Sequence, residues 1–355
     1  MRHFPRTLKR GAALKAALLA ACLAFPAQVL PALAGPVFTD ATGREVAVPE
    51  NPARVFAAGP PAVTLLYTLK PQAMIGWVRA PKAPDLPFLR PEVAALPELG
   101  RLTGKGDTLN LEVLLAAHPD LIVDFGAVTA TYRDLATRVQ DQAGVPYVLI
   151  DGTFAHLTQA IRDMGRVLAV PDRAEELAAY AEATLAEIDT MLAGIPEDQR
   201  PKVYLARGPK GLETAAKGSI NAEIIERVGG RNVADLETRG LANVSAEQLQ
   251  LWAPDVIVTI DRDFAANVAT LPEWQGIPAV AQGRVYLAPA TPFGFIDAPP
   301  SANRLIGLKW LAHKLYPDHA TGDLEAEVAR FYGLFYGVTP DAATVAALLG
   351  DSVSK

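Results

Sequence analysis

One sequence pattern occurs twice in the chain, as NLEVLLAAHPDLIV at residues 110–123 and as VSAEQLQLWAPDVIV at residues 244–258. Each copy contains a glutamate, six further residues, Pro-Asp and then an apolar run rich in β-branched residues. This order predicts a short capped helix that a proline ends, followed at once by a buried strand of the parallel type. The predicted caps and stops are Asn110, Pro119, Ser245 and Pro254.

Short apolar strands flank both copies of the pattern. They are RVFAAG (54–59) and GVPYVLID (144–151) around the first copy, and KVYLARG (202–208) and GRVYLAP (283–289) around the second. Strands that alternate with helical stretches are typical of βα units in a parallel sheet. The sequence therefore predicts an α/β protein with two βα-repeat lobes.

A single long helix is predicted between the two lobes. Asp172 and Glu175 have the spacing of a capping box, apolar residues recur at helical intervals over 177–191, and Gly194 and Pro196 follow. A helix of about 20 residues is about 30 Å long at about 1.5 Å per residue. Such a connection is stiffer than the flexible strands of receptors that close by a hinge.

These patterns divide the chain into segments. Three stretches after the second set of strands are predicted to be helical, 301–315, 324–336 and 341–349. The predicted domains are a signal peptide at 1–34, a first lobe at 35–170, the joining helix at 171–194, and a second lobe with its C-terminal helices at 195–355.

The N-terminal region has the features of a secretory signal. An apolar run at 16–25 follows the basic residues and is too short for a membrane span, and cleavage is expected after Ala34. Cys22 also fits a lipoprotein motif, but the residues after it are apolar, so lipidation is the second alternative. The basic residues are Arg2, Arg6, Lys9, Arg10 and Lys15. We expect a soluble periplasmic protein without cysteine or disulfide.

The charge of the expected mature chain is strongly acidic. Without the signal, 28 Lys and Arg stand against 39 Asp and Glu, a net charge of −11. This balance argues against nucleic acid or an anionic membrane as the main partner.

The chain resembles a family of periplasmic binding proteins. The resemblance rests on the N-terminal stretch FTDATGREVAVPENPARV (38–55), the repeated Glu-x6-Pro-Asp unit and the joining helix, and it spans residues 37–349. Members serve ABC importers of iron-siderophores, haem, vitamin B12 or molybdate. The resemblance implies a monomeric receptor without a cofactor that hands a metal chelate, with an iron-siderophore first among the candidates, to a permease dimer.

The resemblance also assigns a role to the glutamate of each repeat. In the family, one glutamate on each lobe docks onto arginines of the permease, and these map onto Glu112 and Glu247. The alternative is that both are ordinary exposed carboxylates near a helix N-terminus, where the helix dipole favours them.

The ligand residues are expected in the loops beyond the carboxyl ends of the strands. Arg207 follows an apolar strand, so its guanidinium is expected over the cleft toward a carboxylate, phosphate or oxoanion. A salt bridge that fixes the loop is the alternative. Arg79, together with Lys82, Lys105 and Lys210, would add positive potential unless each is a solvated surface charge.

Four aromatic residues fall at similar strand ends and suit the flat organic shell of a chelator. Packing between the lobes is the alternative for each, although the turn-forming residues around the last two favour exposure near the cleft. They are Trp77, Tyr132, Phe293 and Phe295.

Neither a bare metal ion nor catalysis is favoured. The four histidines after the signal have no metal-ligand spacing, so a structural role suits His118, His156, His313 and His319. No nucleophile elbow, Walker loop, zinc-hydrolase motif or dinucleotide fingerprint is present in the sequence. An exported chelatase or lyase on the same scaffold is the competing hypothesis. For Asn303 and Arg304 we have no chemical role, and bracing of the second lobe is one alternative.

Overall fold

The computed structural model describes residues 35–104 and 111–350. The predicted signal with Cys22 and Ala34, the predicted cap Asn110 and Lys105 lie outside these residues. The strands of the first lobe are β1 (Val37–Thr39), β2 (Glu45–Ala47), β3 (Val55–Ala57), β4 (Leu121–Gly126) and β5 (Tyr147–Asp151). Its helices are α1 (Pro60–Leu69), α2 (Pro91–Ala94), α3 (Leu111–Ala116), α4 (Ala130–Ala143) and α5 (Leu157–Val167).

The first lobe is built on a parallel sheet in the order β3-β4-β5, next to an antiparallel hairpin of β1 and β2. All of β3 and the first five residues of β4 are buried, as their apolar sequences require when helices cover both faces. Helix α1 begins directly after β3 with Pro60 and Pro61, positions where a missing amide proton is tolerated.

One long helix, α6 (Pro171–Ala193), joins the lobes. It carries Ala, Leu and Glu residues of high helix propensity and has no interior proline or glycine. The predicted capping box is wrong. Val170 is the N-cap without a side-chain bond, Pro171 begins the helix, and the Glu175 carboxylate pairs instead with Arg162 at 2.7 Å.

The second lobe repeats the plan with a parallel sheet in the order β11-β10-β6-β8 and a small antiparallel pair, β7 and β9. Its strands are β6 (Lys202–Ala206), β7 (Glu213–Ala215), β8 (Arg231–Asn232), β9 (Leu241–Asn243), β10 (Val256–Thr259) and β11 (Val285–Leu287). Its helices are α7 (Glu223–Arg227), α8 (Ala246–Trp252), α9 (Arg262–Asn267), α10 (Pro278–Ala281), α11 (Arg304–Leu315), α12 (Leu324–Phe331) and α13 (Ala342–Gly350). A π-helical turn, Tyr332–Tyr336, extends α12.

The two copies of the sequence pattern have the same backbone. The residue before each Pro-Asp lies in the left-handed region, with φ 46° at His118 and 43° at Ala253. The aspartate that follows accepts a backbone amide hydrogen bond at 2.8 Å, Asp120 from Ala53 and Asp255 from Lys202. These bonds tie each helix end to the start of the neighbouring strand, which explains why Pro-Asp recurs.

A continuous apolar core runs through both lobes. It includes Val148 of the first sheet, Leu177 of α6, Val203 of the second sheet and Trp310 of α11. The C-terminal helices therefore join the lobes in addition to α6. Within residues 35–104 and 111–350, no helix is long and apolar enough to cross a membrane.

Candidate functional site: the cleft between the lobes

Two adjoining cavities open between the lobes, at the carboxyl ends of the sheets. One has a volume of about 460 Å³ and is lined by residues from the ends of β4 and β6, and the other has about 570 Å³ and lies beside the 77–82 loop. Their shared lining residues are Pro60, Arg101, Arg207, Ala298 and Pro299. Both volumes lie in the range typical of small-molecule sites. We call these cavities the sheet cavity and the loop cavity.

Arg207 stands where the two cavities meet. Its Nε bonds to Glu213 at 3.0 Å, and its Nη1 bonds to Asp297, a carboxylate with almost no exposed surface. Its Nη2 has no partner among the residues the structure describes, and the side chain keeps 16% of its surface exposed. The side chain therefore forms the salt bridges that one sequence interpretation expected, and it also lies at the cleft, as the other expected. Two carboxylates hold the guanidinium in place and balance its charge. Its remaining N–H groups can donate hydrogen bonds to a ligand in the cleft.

Three further arginines line the cavities. Arg79 lines the loop cavity, Arg239 lines the sheet cavity, and Arg101 lines both. Arg79 and Arg239 are exposed, and neither has a hydrogen bond or ion pair to any part of the chain that the structure describes. The sequence interpretation missed Arg101 and Arg239, because both lie in irregular segments that no strand pattern identifies.

Three carboxylates of the cleft are hydrogen-bonded within the protein. Glu98 accepts the amide of Ala80 at 2.9 Å, and Asp85 accepts the amide of Lys82 at 2.9 Å. Asp297 binds Arg207 and also accepts Asn221 Nδ2 at 2.9 Å. These acids stabilise the loops, and their bonds do not involve Arg79 or Arg239, so they do not compete with an anion for those two arginines.

Asp124 is a fourth carboxylate, at the end of β4, and it was not predicted. Its side chain lines the sheet cavity and is 4% exposed. It accepts hydrogen bonds from Tyr147 Oη at 3.0 Å, the Phe125 amide at 2.9 Å and Thr103 Oγ1 at 3.3 Å. Burial raises the pKa of this carboxyl, although all three hydrogen bonds act to lower it.

The predicted aromatic residues occupy different positions. Trp77 and Phe293 line the loop cavity, but both are largely buried, with ring centroids 6.5 Å apart, and Trp77 Nε1 donates to the Val93 carbonyl at 2.8 Å. Tyr132 is half-buried and lines the sheet cavity. These three side chains therefore line the cleft and also pack against neighbouring residues of the protein.

Phe293, which was also expected to be exposed near the cleft, is only 7% exposed although it lines the loop cavity, and the same expectation is wrong for Phe295. The residue has no exposed surface and lies in the core, with its ring 6.5 Å from that of Tyr332. Helix α11 packs so closely against it that a Cβ atom at Gly307 would overlap the Phe295 carbonyl oxygen. The neighbouring turn residues predicted a loop correctly, but they could not show which side of it faces the core.

Two other predicted loop residues, Asp261 and Lys210, lie away from the cavities, whereas Lys82 lies at a rim. Asp261 accepts the Phe264 amide at 2.9 Å and so caps α9, while Lys210 is exposed and lines neither cavity. Lys82 is an exposed residue at the rim of the loop cavity. Within the described ranges, no cluster of three or more His, Cys, Asp or Glu residues could hold a metal ion.

Glu112 and Glu247 occupy equivalent places on their lobes. Each is exposed in the first turn of its short helix, α3 or α8. Hydrogen bonds from its own backbone amide and from Ser245 lower the pKa of the Glu247 carboxyl, so it stays ionised at neutral pH. Ser245 accepts the Gln248 amide at 3.2 Å, which confirms the cap predicted for the second repeat.

Arg304 braces the lobes against each other. It is fully buried, with Nη1 bonded to Glu223 at 2.7 Å and Nη2 bonded to the Gly152 carbonyl at 2.8 Å. Its guanidinium lies 4.2 Å from the centre of the Phe154 ring, and the Phe154 amide donates to the same Glu223 at 2.9 Å. Gly152 and Phe154 belong to the first lobe, and Glu223 belongs to the second.

Asn303 has a local role in the second lobe. Its Nδ2 donates to the carbonyls of Gly294 and Pro299, the latter at 2.9 Å. It therefore fixes the loop that carries Phe293 and Asp297 into the cleft.

Comparison with known proteins agrees with this architecture. Residues 81–292 match the family model for periplasmic binding proteins. A solved ABC transporter solute-binding protein from Sulfurospirillum deleyianum is 31% identical, with a TM-score of 0.81 over 88% of this chain and 99% of that one.

Two curated relatives carry named ligands. The molybdate-binding protein MolA of Haemophilus influenzae is 27% identical over 354 residues, which cover 92% of this chain and 98% of the relative. A vitamin B12-binding protein of Salmonella typhi is 24% identical over 202 residues, covering 56% and 73% of the two chains. With a family match over more than half of its length and two lobes that enclose a cleft, the chain belongs to the periplasmic binding protein family.

Proposed function

We propose that this protein binds an anionic metal complex in the interlobe cleft and delivers it to an ABC importer. The observation that carries the proposal is the state of the charged groups in the cleft. Its carboxylates are hydrogen-bonded inside the protein, whereas Arg79 and Arg239, one on each lobe, have no partner within the described part of the chain. A ligand that bridges them must therefore supply the negative charge.

The ligand class follows from size and wall chemistry. Cavities of about 460 and 570 Å³ with Trp77, Tyr132 and Phe293 in their walls suit an organic chelate, and an iron-siderophore remains our first candidate among chelates. The name of the molybdate-binding relative favours a compact oxoanion instead. Molybdate and a catecholate-type iron chelate are both anionic, so both would use the same arginines, and titration with each probe separates them.

The first prediction tests the arginines. The double variant Arg79→Gln, Arg239→Gln should bind the anion at least about tenfold more weakly, because a hydrogen bond to a charged group contributes about 1.5–3 kcal/mol. Isothermal titration with molybdate and with a ferric tris-catecholate complex measures this.

Lys210→Gln is the matched control, since it removes an exposed cation that lines neither cavity. Equal affinity of the double variant and this control for every probe that the wild type binds would contradict the proposal.

We also propose that Glu112 and Glu247 dock the receptor onto the permease. Both carboxylates are exposed on equivalent helices of the two lobes, away from the residues that line the cavities. Leu251, one turn after Glu247 on the same helix face, is 79% exposed. In the docked complex this side chain would add an apolar contact beside the Glu247 carboxylate.

The compartment and segment boundaries belong to the same proposal. We propose export through a cleaved signal at residues 1–34, with a monomeric receptor in the periplasm and lipidation of Cys22 as the alternative. The lobes would comprise residues 35–170 and 195–355, joined by 171–194. The family match supports the periplasmic location.

The second prediction concerns motion. Ligand binding should change the radius of gyration by less than about 1 Å from the roughly 20 Å expected for a compact chain of this size. Helix α6 has no kink-forming residue inside it, and Ser301 Oγ donates to the Pro61 carbonyl at 2.8 Å across the lobes. Small-angle scattering of the apo and loaded protein measures the change. A larger contraction would show hinge closure and contradict a preformed cleft.

An exported chelatase or lyase is the competing function. Arg207 and Asp297 bind each other and so hold their loops in place. The hydroxyls of Thr103 and Tyr147 donate to Asp124, and these bonds satisfy a buried carboxyl. Recovery of the chelate unchanged after prolonged incubation, checked by mass spectrometry, separates the receptor from the enzyme.

A further inference from the structure

The sheet cavity contains one ionisable group that the proposed anion site does not use, the carboxyl of Asp124. It lies at the carboxyl end of the central strand β4, where ligands of parallel α/β sheets bind. It lines the same cavity as Arg101, Arg207 and Arg239. An acid among cations at an anion site needs a physical explanation.

The surroundings of this carboxyl are neutral donors. On one side Thr103 Oγ1 and the Phe125 amide donate to Oδ1, and on the other Tyr147 Oη donates to Oδ2. Within residues 35–104 and 111–350 no Arg, Lys or His bonds to it. A carboxylate that is taken out of water without a cationic partner is costly, and it becomes neutral by taking up a proton.

No neighbouring titratable group within the described residues neutralises the Asp124 carboxylate in place of a bound proton. Burial and Asp124 together raise the pKa of Tyr147 and, less strongly, that of Tyr132, so both hydroxyls keep their protons. Behind the strand, Arg44 lies 6.0 Å from the Tyr147 ring and is paired with Asp40 at 2.6 Å. Across the cavity, Asp297 is paired with Arg207, while Arg101 and Arg239 remain at the cavity wall.

We propose that Asp124 couples anion binding in the sheet cavity to the uptake of one proton. An anion beside the arginines repels an ionised Asp124 and is compatible with a neutral one. The proton comes from solvent and stays on the carboxyl while the anion is bound. The inference rests on the proposed function, because it assumes that an anion occupies this cavity.

The direction of the pH dependence follows from linkage. Burial already raises the pKa of Asp124 in the free protein, and a nearby anion raises it further. Below the free-protein pKa the carboxyl is neutral before and after binding, and affinity is highest. As the pH rises through that pKa, affinity falls by up to about tenfold per pH unit, the limit for one proton. Above the bound-state pKa it levels off.

The third prediction tests this coupling with Asp124→Asn, which keeps the size of the side chain and is always neutral. At low pH its affinity should equal that of the wild type, and at high pH it should exceed it. Calorimetric titrations with molybdate and with ferric tris-catecholate, from the ordinary pKa of an aspartate (about 3.9) up to about pH 9, compare the two proteins in the same solutions. The protonation of the ligand itself then cancels.

Asp134→Asn on α4 is the control, because it removes an exposed carboxylate that does not line the cavity. It should keep the wild-type pH profile. A purely structural role of Asp124 would lower the affinity of Asp124→Asn equally at every pH, which would overturn the inference.

Carbon-13 NMR of the labelled Asp124 carboxyl gives a readout without ligand. A pKa of this carboxyl at or below the ordinary range of aspartate would overturn the inference. So would an affinity that depends on pH in the same way in the wild type and in Asp124→Asn. Either result would leave the receptor function intact. Failure of the wild type to bind either probe at any pH would overturn the proposed function and the coupling with it.

Discussion

Replacement of Arg304 by methionine is expected to lower the free energy of unfolding by about 3–5 kcal/mol, the typical loss when one partner of a buried ion pair is removed. The side chain is fully buried, and its loss leaves Glu223 without its cation. The carbonyls of Gly152 and Ile220 also lose their donor. Urea unfolding followed by tryptophan fluorescence measures the change.

Two comparisons show whether the loss comes from the uncompensated charge. The double variant Arg304→Met, Glu223→Gln should recover part of the stability, because glutamine is neutral and still accepts the Phe154 amide. Arg162→Gln, which removes a partly exposed arginine paired with Glu175 and Glu182, should cost less than about 1 kcal/mol. A similar cost for Arg162→Gln and Arg304→Met would contradict the role of Arg304 as a brace.

The sequence predicted the fold well because repetition and periodicity act locally. Each Glu-x6-Pro-Asp unit produces the same helix end, and the left-handed residue at His118 or Ala253 follows from local chain geometry. The joining helix was predicted from its apolar spacing and is confirmed as Pro171–Ala193. The false capping box shows the limit of local patterns, because Pro171 begins the helix and Glu175 has a tertiary partner.

The cleft was less predictable, because its groups come from distant segments. Arg207 was found from its place after a strand, but no pattern shows that Asp297, 90 residues later, holds it. Arg239 lies in an irregular segment, and Asp124 resembles any polar residue at a strand end. Arg304 had no explanation in the sequence, since its partners lie on both lobes and meet only in the folded chain.

The double variant Glu112→Gln, Glu247→Gln should bind its ligand with unchanged affinity. Uptake of the ligand by cells that carry this variant should nevertheless fall nearly to the level of cells without the receptor. A lost charge contact in an interface costs about 2 kcal/mol or more, which is more than tenfold in affinity for each site. Both carboxylates are exposed and outside the cavities, so the ligand site is untouched. Uptake of labelled ligand and calorimetry on the purified variant measure the two effects.

The matched control is Glu197→Gln, Glu325→Gln, which removes two exposed glutamates, one in the single 3-10 turn Glu197–Gln199 and one in the first turn of α12. It changes the net charge equally and should leave uptake unchanged. Each docking variant alone should lower uptake less than the pair, because one contact still holds one lobe on the permease. Leu251→Ser should weaken uptake in the same direction, since it removes an apolar contact one turn from Glu247. Loss of ligand affinity in the docking pair would show instead that these carboxylates support the cleft, and the separation of docking surface from ligand site would be wrong.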